Sequence, residues 1–311
     1  MSAKEIILSY MGEKINSLFS PMSEDYFAGI SEIRIRTGKP LTFTRYSRER
    51  FIDGHGKCQS DPILGYCPEP KDIQEALSLM SDYSLYAFEE ELRSGYITLS
   101  GGHRVGVSGQ AVIENKALKT MKNISGFNIR VSHEIKGCAD SVIGKIALPQ
   151  LMHTMIISPP ACGKTTLLRD VVRQLSNGVA GKFPGVNVGV ADERSEIAGC
   201  YRGVPQNDVG IRTDVLDGCP KDEGMLILLR AMSPRVIAVD ELGGRNDIRA
   251  VEDIVNAGVC LICTVHGRDL EDARQRMVLG ELINRGIFER FVVLKAVGKI
   301  AGVYGRGGES A

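Results

Sequence analysis

The sequence predicts an α/β chain in two parts, a small α+β unit followed by a mainly parallel sheet with helices on both faces. Three observations predict it. Short apolar runs at 152–157, 186–191, 235–240, 259–265 and 291–294 alternate with helical segments, as parallel strands covered on both faces require. Ahead of them, strand-like runs surround one amphipathic stretch. With 311 residues, 43% of them hydrophobic, the chain can bury two cores.

In the first part, Ile33–Arg36 alternates like a strand, and Leu41–Thr44 follows the turn signal at Gly38–Pro40. Ile73, Ala76, Leu77 and Met80 fall at helical spacing, predicting a helix over 71–84. Tyr96–Leu99, Arg104–Val112 and Phe127–Val131 read as further strands. The expected organisation is an α+β domain over 1–137 and a linking helix over 138–150 that stops at Pro149. The sheet domain then covers 151–304, and a disordered tail 305–311.

Composition narrows the partners. Lys plus Arg and Asp plus Glu each number 38, so the formal net charge is zero. Nothing in the bulk charge draws the chain to nucleic acid or anionic membrane, and no nucleic-acid partner is expected. No apolar run reaches the roughly 18 residues that span a bilayer, and the apolar stretch in Met1–Tyr10 is too short for a signal peptide. Eight scattered cysteines fit a reducing cytoplasm. Cys260 and Cys263 are spaced like metal ligands. They lie in a strand-like run, though, and would face opposite sides.

The most informative stretch is Met155–Leu168. A strand (His153–Ile157) leads into Ser158, Pro159, Pro160, Ala161, Cys162, Gly163, Lys164, Thr165 and Thr166. A helix follows, with the stripe Leu167, Leu168, Val171, Val172 and Leu175. Strand, tight loop and helix N-terminus are what a phosphate-binding P-loop needs, because its inward backbone N–H groups and the helix dipole hold anionic oxygens. Lys164 would reach the β- and γ-phosphates of ATP, and the Thr165 hydroxyl would ligate Mg²⁺. Ser158 stands where the motif has its first glycine, which requires a negative φ there. Cys162 lies beside the helix N-terminus and Lys164, a setting that favours thiolate chemistry. Alkylation is expected to inactivate the chain and nucleotide to protect it; an inert small residue is the alternative.

Three strand ends carry polar groups to the same sheet edge. Val236–Glu241 ends in Asp240, which would hold Mg²⁺, and Glu241, which would polarise the attacking water. A helix cap or salt bridge is the competing reading of that pair. Val188–Glu193 ends in Asp192 and Glu193, as further catalytic carboxylates or as a solvated loop. Ile262–Gly267 ends in Thr264 and His266, a γ-phosphate sensor or a structural histidine.

These blocks together resemble the secretion-type ATPases of type II and type IV secretion and pilus systems. The resemblance lies in Leu229–Ile237, the Asp240–Glu241 pair, Asn256–Gly258 and Thr264–Gly267. Longer blocks make the chain similar to the stage III AA sporulation family of endospore-forming bacteria. They are Ser31–Leu41, Gly101–Gly106, Asp192–Gly199, Gly203–Gln206 and Arg212–Lys221. The resemblance implies a RecA/AAA-like P-loop domain and a homo-oligomeric, hexameric Mg²⁺-dependent ATPase. It would work in the mother-cell cytoplasm, docked on a polytopic membrane protein of the sporulation channel. It also implies that arginines of the first domain reach the nucleotide, with Arg104 and Arg130 at the matching positions. Arg34 and Arg36, on one strand face, are further candidates, and Arg230 lies in a matching block. Ser158 and Ala161 depart from the usual loop, so slow hydrolysis is expected. Two other functions compete, a single-strand nucleic-acid ATPase and a scaffold that uses ATP only to assemble. The short C-terminal tail and balanced charge oppose the first.

Overall fold

A computed structural model describes residues 2–81, 96–114, 116–296 and 298–311. It divides into two compact units, Met1–His133 and Glu134–Ala311.

The first unit is a seven-stranded antiparallel sheet backed by helices. Its strands are β1 (Ile30–Arg36), β2 (Thr42–Arg45), β3 (Arg48–Ile52), β4 (Cys58–Gln59), β5 (Tyr96–Leu99), β6 (His103–Glu114) and β7 (Ala117–Arg130). They run in the order β4-β3-β2-β1-β7-β6-β5. Alternation in β1 decides which face is dry: Ile30, Ile33 and Ile35 are fully buried, while Arg34 and Arg36 are exposed. The helices Ala3–Ser9, Glu13–Phe19 and Pro70–Met80 supply Ile7, Ile15, Phe19, Ile73 and Ala76 to the same core. The helix expected over 71–84 thus runs Pro70–Met80, and 82–84 lie outside the described residues.

The second unit holds the other sheet: β8 (Thr154–Ser158), β11 (Val188–Asp192), β12 (Thr213–Asp217), β13 (Val236–Val239), β14 (Cys260–His266), β15 (Arg290–Ala296) and β16 (Lys299–Tyr304). The order is β12-β11-β13-β14-β8-β15-β16, parallel throughout except for the antiparallel β16 at one edge. A two-residue hairpin, β9 (Gly178–Val179) with β10 (Phe183–Pro184), stands apart. One face of the sheet, with Ile156, Val190, Ala238 and Ile262, packs on the helix Lys164–Asn177 through Leu168, Val171, Val172 and Leu175. The other, with Ile157, Ile237, Val239 and Val265, packs on the helices Lys221–Ala231, Arg245–Asn256 and Met277–Asn284. Cys260 belongs to the first core and Cys263 to the second, so the pair does face opposite ways.

Two segments differ from expectation. Residues 138–150 pack with the second unit: Ala139, Val142, Ile143 and Ile146 are buried in its core, and Ala139 N–H donates to Asp170 (2.8 Å). The helical part shrinks to Ile143–Ala147. The glycine-rich end 305–311, expected to be disordered, folds back instead. Ala311 N–H donates to Val303 (2.8 Å) and Gly305 N–H to Glu309 (2.9 Å), which ties the end to edge strand β16.

Candidate nucleotide site

The phosphate loop lies between β8 and the helix Lys164–Asn177 at the C-terminal edge of the parallel sheet. Ser158 is fully buried and keeps a negative φ, so a serine fits the motif's first position without backbone strain. Its hydroxyl donates to the Pro159 carbonyl (2.8 Å). Ala161 adopts a left-handed φ of 58° and Gly163 one of 87°. Glycine takes that conformation freely, whereas alanine carries a cost of about 1–2 kcal/mol. Pro160 and Ala161 are exposed at the turn, and Cys162, Thr165 and Thr166 are half-buried.

Sheet register delivers the partners. His266 pairs directly with Ser158, which sets the imidazole at the mouth of the loop. Val239 pairs with Cys263, so Asp240 emerges beside Thr264. Thr165 Oγ1 donates to Asp240 Oδ2 (2.6 Å), and the Thr264 hydroxyl donates to Asp240 Oδ1. A hydroxyl and a carboxylate meeting at that distance form a hard-oxygen pair that suits Mg²⁺.

Glu241 gathers the cations. Its Oε1 accepts from Lys164 Nζ (2.7 Å) and from His266 Nε2 (2.9 Å), and its Oε2 lies 3.5 Å from Arg194 Nη1. His266 Nδ1 is buried with no hydrogen-bond partner among the described residues, so the ring proton is best placed on Nε2. Burial pulls the Glu241 carboxyl up. The hydrogen bond and charge of Lys164, with His266 behind them, outweigh this and hold it below the usual carboxylate range. Glu241 itself has a positive φ of 54°, an uncommon conformation for a side chain of this size. Lys221 Nζ spans from Glu193 (2.9 Å) to the Glu241 carbonyl (3.1 Å).

Asp192 and Glu193 line one recess with Lys221, Asp240 and Glu241. Asp192, expected among the catalytic carboxylates, is 2% exposed and accepts the backbone N–H groups of Glu196 (2.8 Å), Ile197 (3.0 Å) and Ala198 (2.8 Å). Burial pushes it up to about 6 while those three donors pull the other way. Arg169, also buried, donates to the carbonyls of Glu196 and Ile197, so carboxylate and guanidinium clamp one loop between them. Asp192 therefore shapes the loop that presents Glu193 and Arg194. Arg230 sits in the last turn of Lys221–Ala231. That helix begins at the loop edge beside Glu241, so nine residues at about 1.5 Å each carry Arg230 toward the opposite edge. Its distance from Glu241 follows from the parallel connection, in which a crossover helix runs back along the sheet.

The family follows from the comparisons. The model of the family described as sporulation stage III, protein AA, matches residues 1–311. The chain belongs to that family. It is 38% identical over 306 residues to the stage III sporulation protein AA of Bacillus subtilis strain 168, covering 97% of this chain and 95% of that one. Among solved structures, the Yersinia pseudotuberculosis ATPase DotB is similar with a TM-score of 0.59 and 14% identity, over 91% of this chain and 76% of that one. The pilus retraction motor PilT, crystallised with ADP, gives 0.57 and 14%, over 94% and 78%. The Legionella pneumophila DotB gives 0.56 and 17%, over 87% and 73%. This stage III AA family member therefore shares the fold of DotB and PilT.

The family's N-terminal blocks build a basic face within the first unit. Arg104 pairs across strands with Arg130, and Arg130 with Glu32. Arg34, two residues on, shares that side, and its guanidinium donates to Glu32. The Arg104 guanidinium lies 3.9 Å from the Tyr96 ring centroid, and Arg36 donates to Thr42 (3.1 Å). Arg194 and Lys221 went unread as site residues in the sequence. Each lies in a matching block, and the signal was available: one follows a strand-end carboxylate pair and the other opens a helix after a strand.

Proposed function

We propose that the chain is an ATPase that hydrolyses ATP with Mg²⁺ as an oligomer, and that it drives a membrane-associated sporulation channel. The observation that carries the reading is the convergence of Thr165 on Asp240 at 2.6 Å and of Lys164 on Glu241 at 2.7 Å, at the mouth of a phosphate loop. Mg²⁺ held by Thr165 and Asp240 would neutralise charge between the β- and γ-phosphates. The loop amides from Ser158 to Thr166 and Lys164 would bind the phosphate oxygens. Glu241, ionised at neutral pH because its cations hold it so, would orient and polarise the attacking water. His266 and Arg194, both on Glu241, would change partner toward the γ-phosphate. Arginines 34, 36, 104 and 130 would act on nucleotide within a hexameric ring, and motion of the first unit would pass the energy to a polytopic membrane partner in the mother cell. Similarity of fold to DotB and PilT supports this assignment.

The test is phosphate release by purified chain and by Glu241→Gln. The variant is expected to bind ATP with near wild-type affinity and to lose hydrolysis by about 10²-fold or more, the scale of a general base. Undiminished release would remove Glu241 from the mechanism. Ring formation and partner binding without phosphate release from the wild type would favour the scaffold.

A further inference from the structure

At the N-terminal edge of the second unit's sheet, the opposite end of each parallel strand from the phosphate loop, lies a cavity of about 880 Å³. Its floor is formed where four neighbouring strands begin: Arg235 ahead of β13, Cys260 of β14, His153 ahead of β8 and Glu289 ahead of β15. Strands in a sheet are about 4.8 Å apart, so the floor is a groove roughly 14 Å long. Leu175 and the Phe183–Val186 segment wall it on one face of the sheet, and Val255 and Ile287 on the other.

Two features say what the groove takes. First, the floor has no spare backbone donors to offer. Leu261 N–H donates to His153 Nδ1 (3.1 Å), Cys260 N–H to the Arg235 carbonyl (3.1 Å), and Glu289 and Arg290 N–H to the His153 carbonyl (2.8 and 3.1 Å). Recognition must come from side chains. Second, four cations, Lys182, Arg235, Arg285 and Arg306, line the cavity with Glu289 as their one carboxylate, on a chain whose total charge is balanced. Arg285 pairs with Glu252, and Arg306 lies 3.7 Å from Glu289. Lys182 and Arg235 are exposed, and among the described residues their side chains have no hydrogen bond or ion pair.

The cations are spread along the groove, with Arg235 at the β13 end and Arg306, beside Glu289, at the β15 end. One small anion cannot reach both ends, whereas an elongated segment can. About four extended residues, or nine in a helix, cover 14 Å. The apolar walls lie within a concavity that a flat lipid surface would not enter. We propose that this groove docks an acidic segment of a partner protein, whose apolar side chains fill the walls while its carboxylates pair with Lys182 and Arg235.

The test uses the full chain and fluorescein-labelled 12-residue peptides read by anisotropy: one of alternating Glu and Leu or Phe, one with Ser at the apolar positions, one with Lys at the acidic positions. The acidic apolar peptide is expected to bind saturably and at least tenfold more tightly than the other two. The double variant Lys182→Glu, Arg235→Glu should lose that binding tenfold or more and gain the Lys peptide, with an unchanged thermal melt. A milder double variant to Gln, expected to lose only the acidic peptide, serves if the charge reversal does not fold. Absence of binding, or equal binding of the Ser peptide, overturns the proposal. So does full displacement by millimolar inorganic phosphate, which would make the groove a small-anion site. Preferential binding to phosphatidylglycerol vesicles, or loss of self-association in the variants, also overturns it, as a membrane or subunit contact. None of these readouts involves nucleotide, so they stand apart from the ATPase reading.

Discussion

Asp170 shows how a single buried carboxylate can hold the phosphate-loop helix in place. It is 2% exposed and accepts from Ala139 N–H (2.8 Å), Arg173 Nε (2.8 Å) and Gln174 Nε2 (3.1 Å). Burial alone would raise its pKa, but the Ala139 N–H and Arg173 outweigh burial and hold it below the ordinary value. A depressed native carboxyl stabilises the fold above the unfolded pKa of about 3.9 and loses that contribution as pH falls through the lower native value. Asp170→Ala is expected to destabilise the second unit by about 2–4 kcal/mol at pH 7, since it strands a buried N–H and a guanidinium. The difference from wild type should shrink below pH 4 in urea titrations; a constant gap down to pH 3 would contradict the charge argument. Asp192 teaches a related lesson. A strand-end acid expected among the catalytic carboxylates also clamps a loop through three converging N–H groups, which its sequence position does not reveal.

Among elements, the five central strands of the second unit were readable because strands buried on both faces are continuous apolar runs. Edge strand β12, Thr213–Asp217, was not: its five residues are all half-buried and its pattern is Thr-Asp-Val-Leu-Asp. β16, Lys299–Tyr304, is likewise an edge strand with exposed positions, and the helices Ala3–Ser9, Glu13–Phe19 and Glu24–Phe27 are too short to show a helical period. The site was readable for a related reason, since phosphate-loop residues and strand-end carboxylates are local in sequence. The contacts of Arg194 and Lys221 with Glu241 depend on sheet order instead. Helix packing makes a further prediction at Gly280, in Met277–Asn284. A Cβ there would stand 2.1 Å from the Arg274 carbonyl oxygen, a backbone atom that cannot swing away. Gly280→Ala should cost about 1–3 kcal/mol in chemical denaturation, the usual price of overpacking. A neutral substitution would mean that the preceding helix, Leu270–Gln275, shifts freely.

For the whole molecule, the proposed reaction asks whether the basic face of the first unit serves the nucleotide. Arg104 and Arg130 lie side by side on adjacent strands, with Glu32 opposite Arg130 on the next. If they serve nucleotide in the assembled ring, Arg104→Ala should retain ATP binding and lose about 10³-fold in turnover, the lower end for an arginine at a transferring phosphoryl group. An unchanged turnover would assign Arg104 to its stack on Tyr96. No helix among the described residues is long and apolar enough to cross a membrane. The groove at the far sheet edge is the proposed docking surface for a partner protein. The measurement closest to the central claim is calorimetric titration of ATP with Mg²⁺ into wild type and Lys164→Ala. A saturable one-site isotherm in the wild type that vanishes in the variant is predicted. A flat wild-type trace, or equal binding by both, would mean that the loop from Ser158 to Thr166 does not hold a triphosphate.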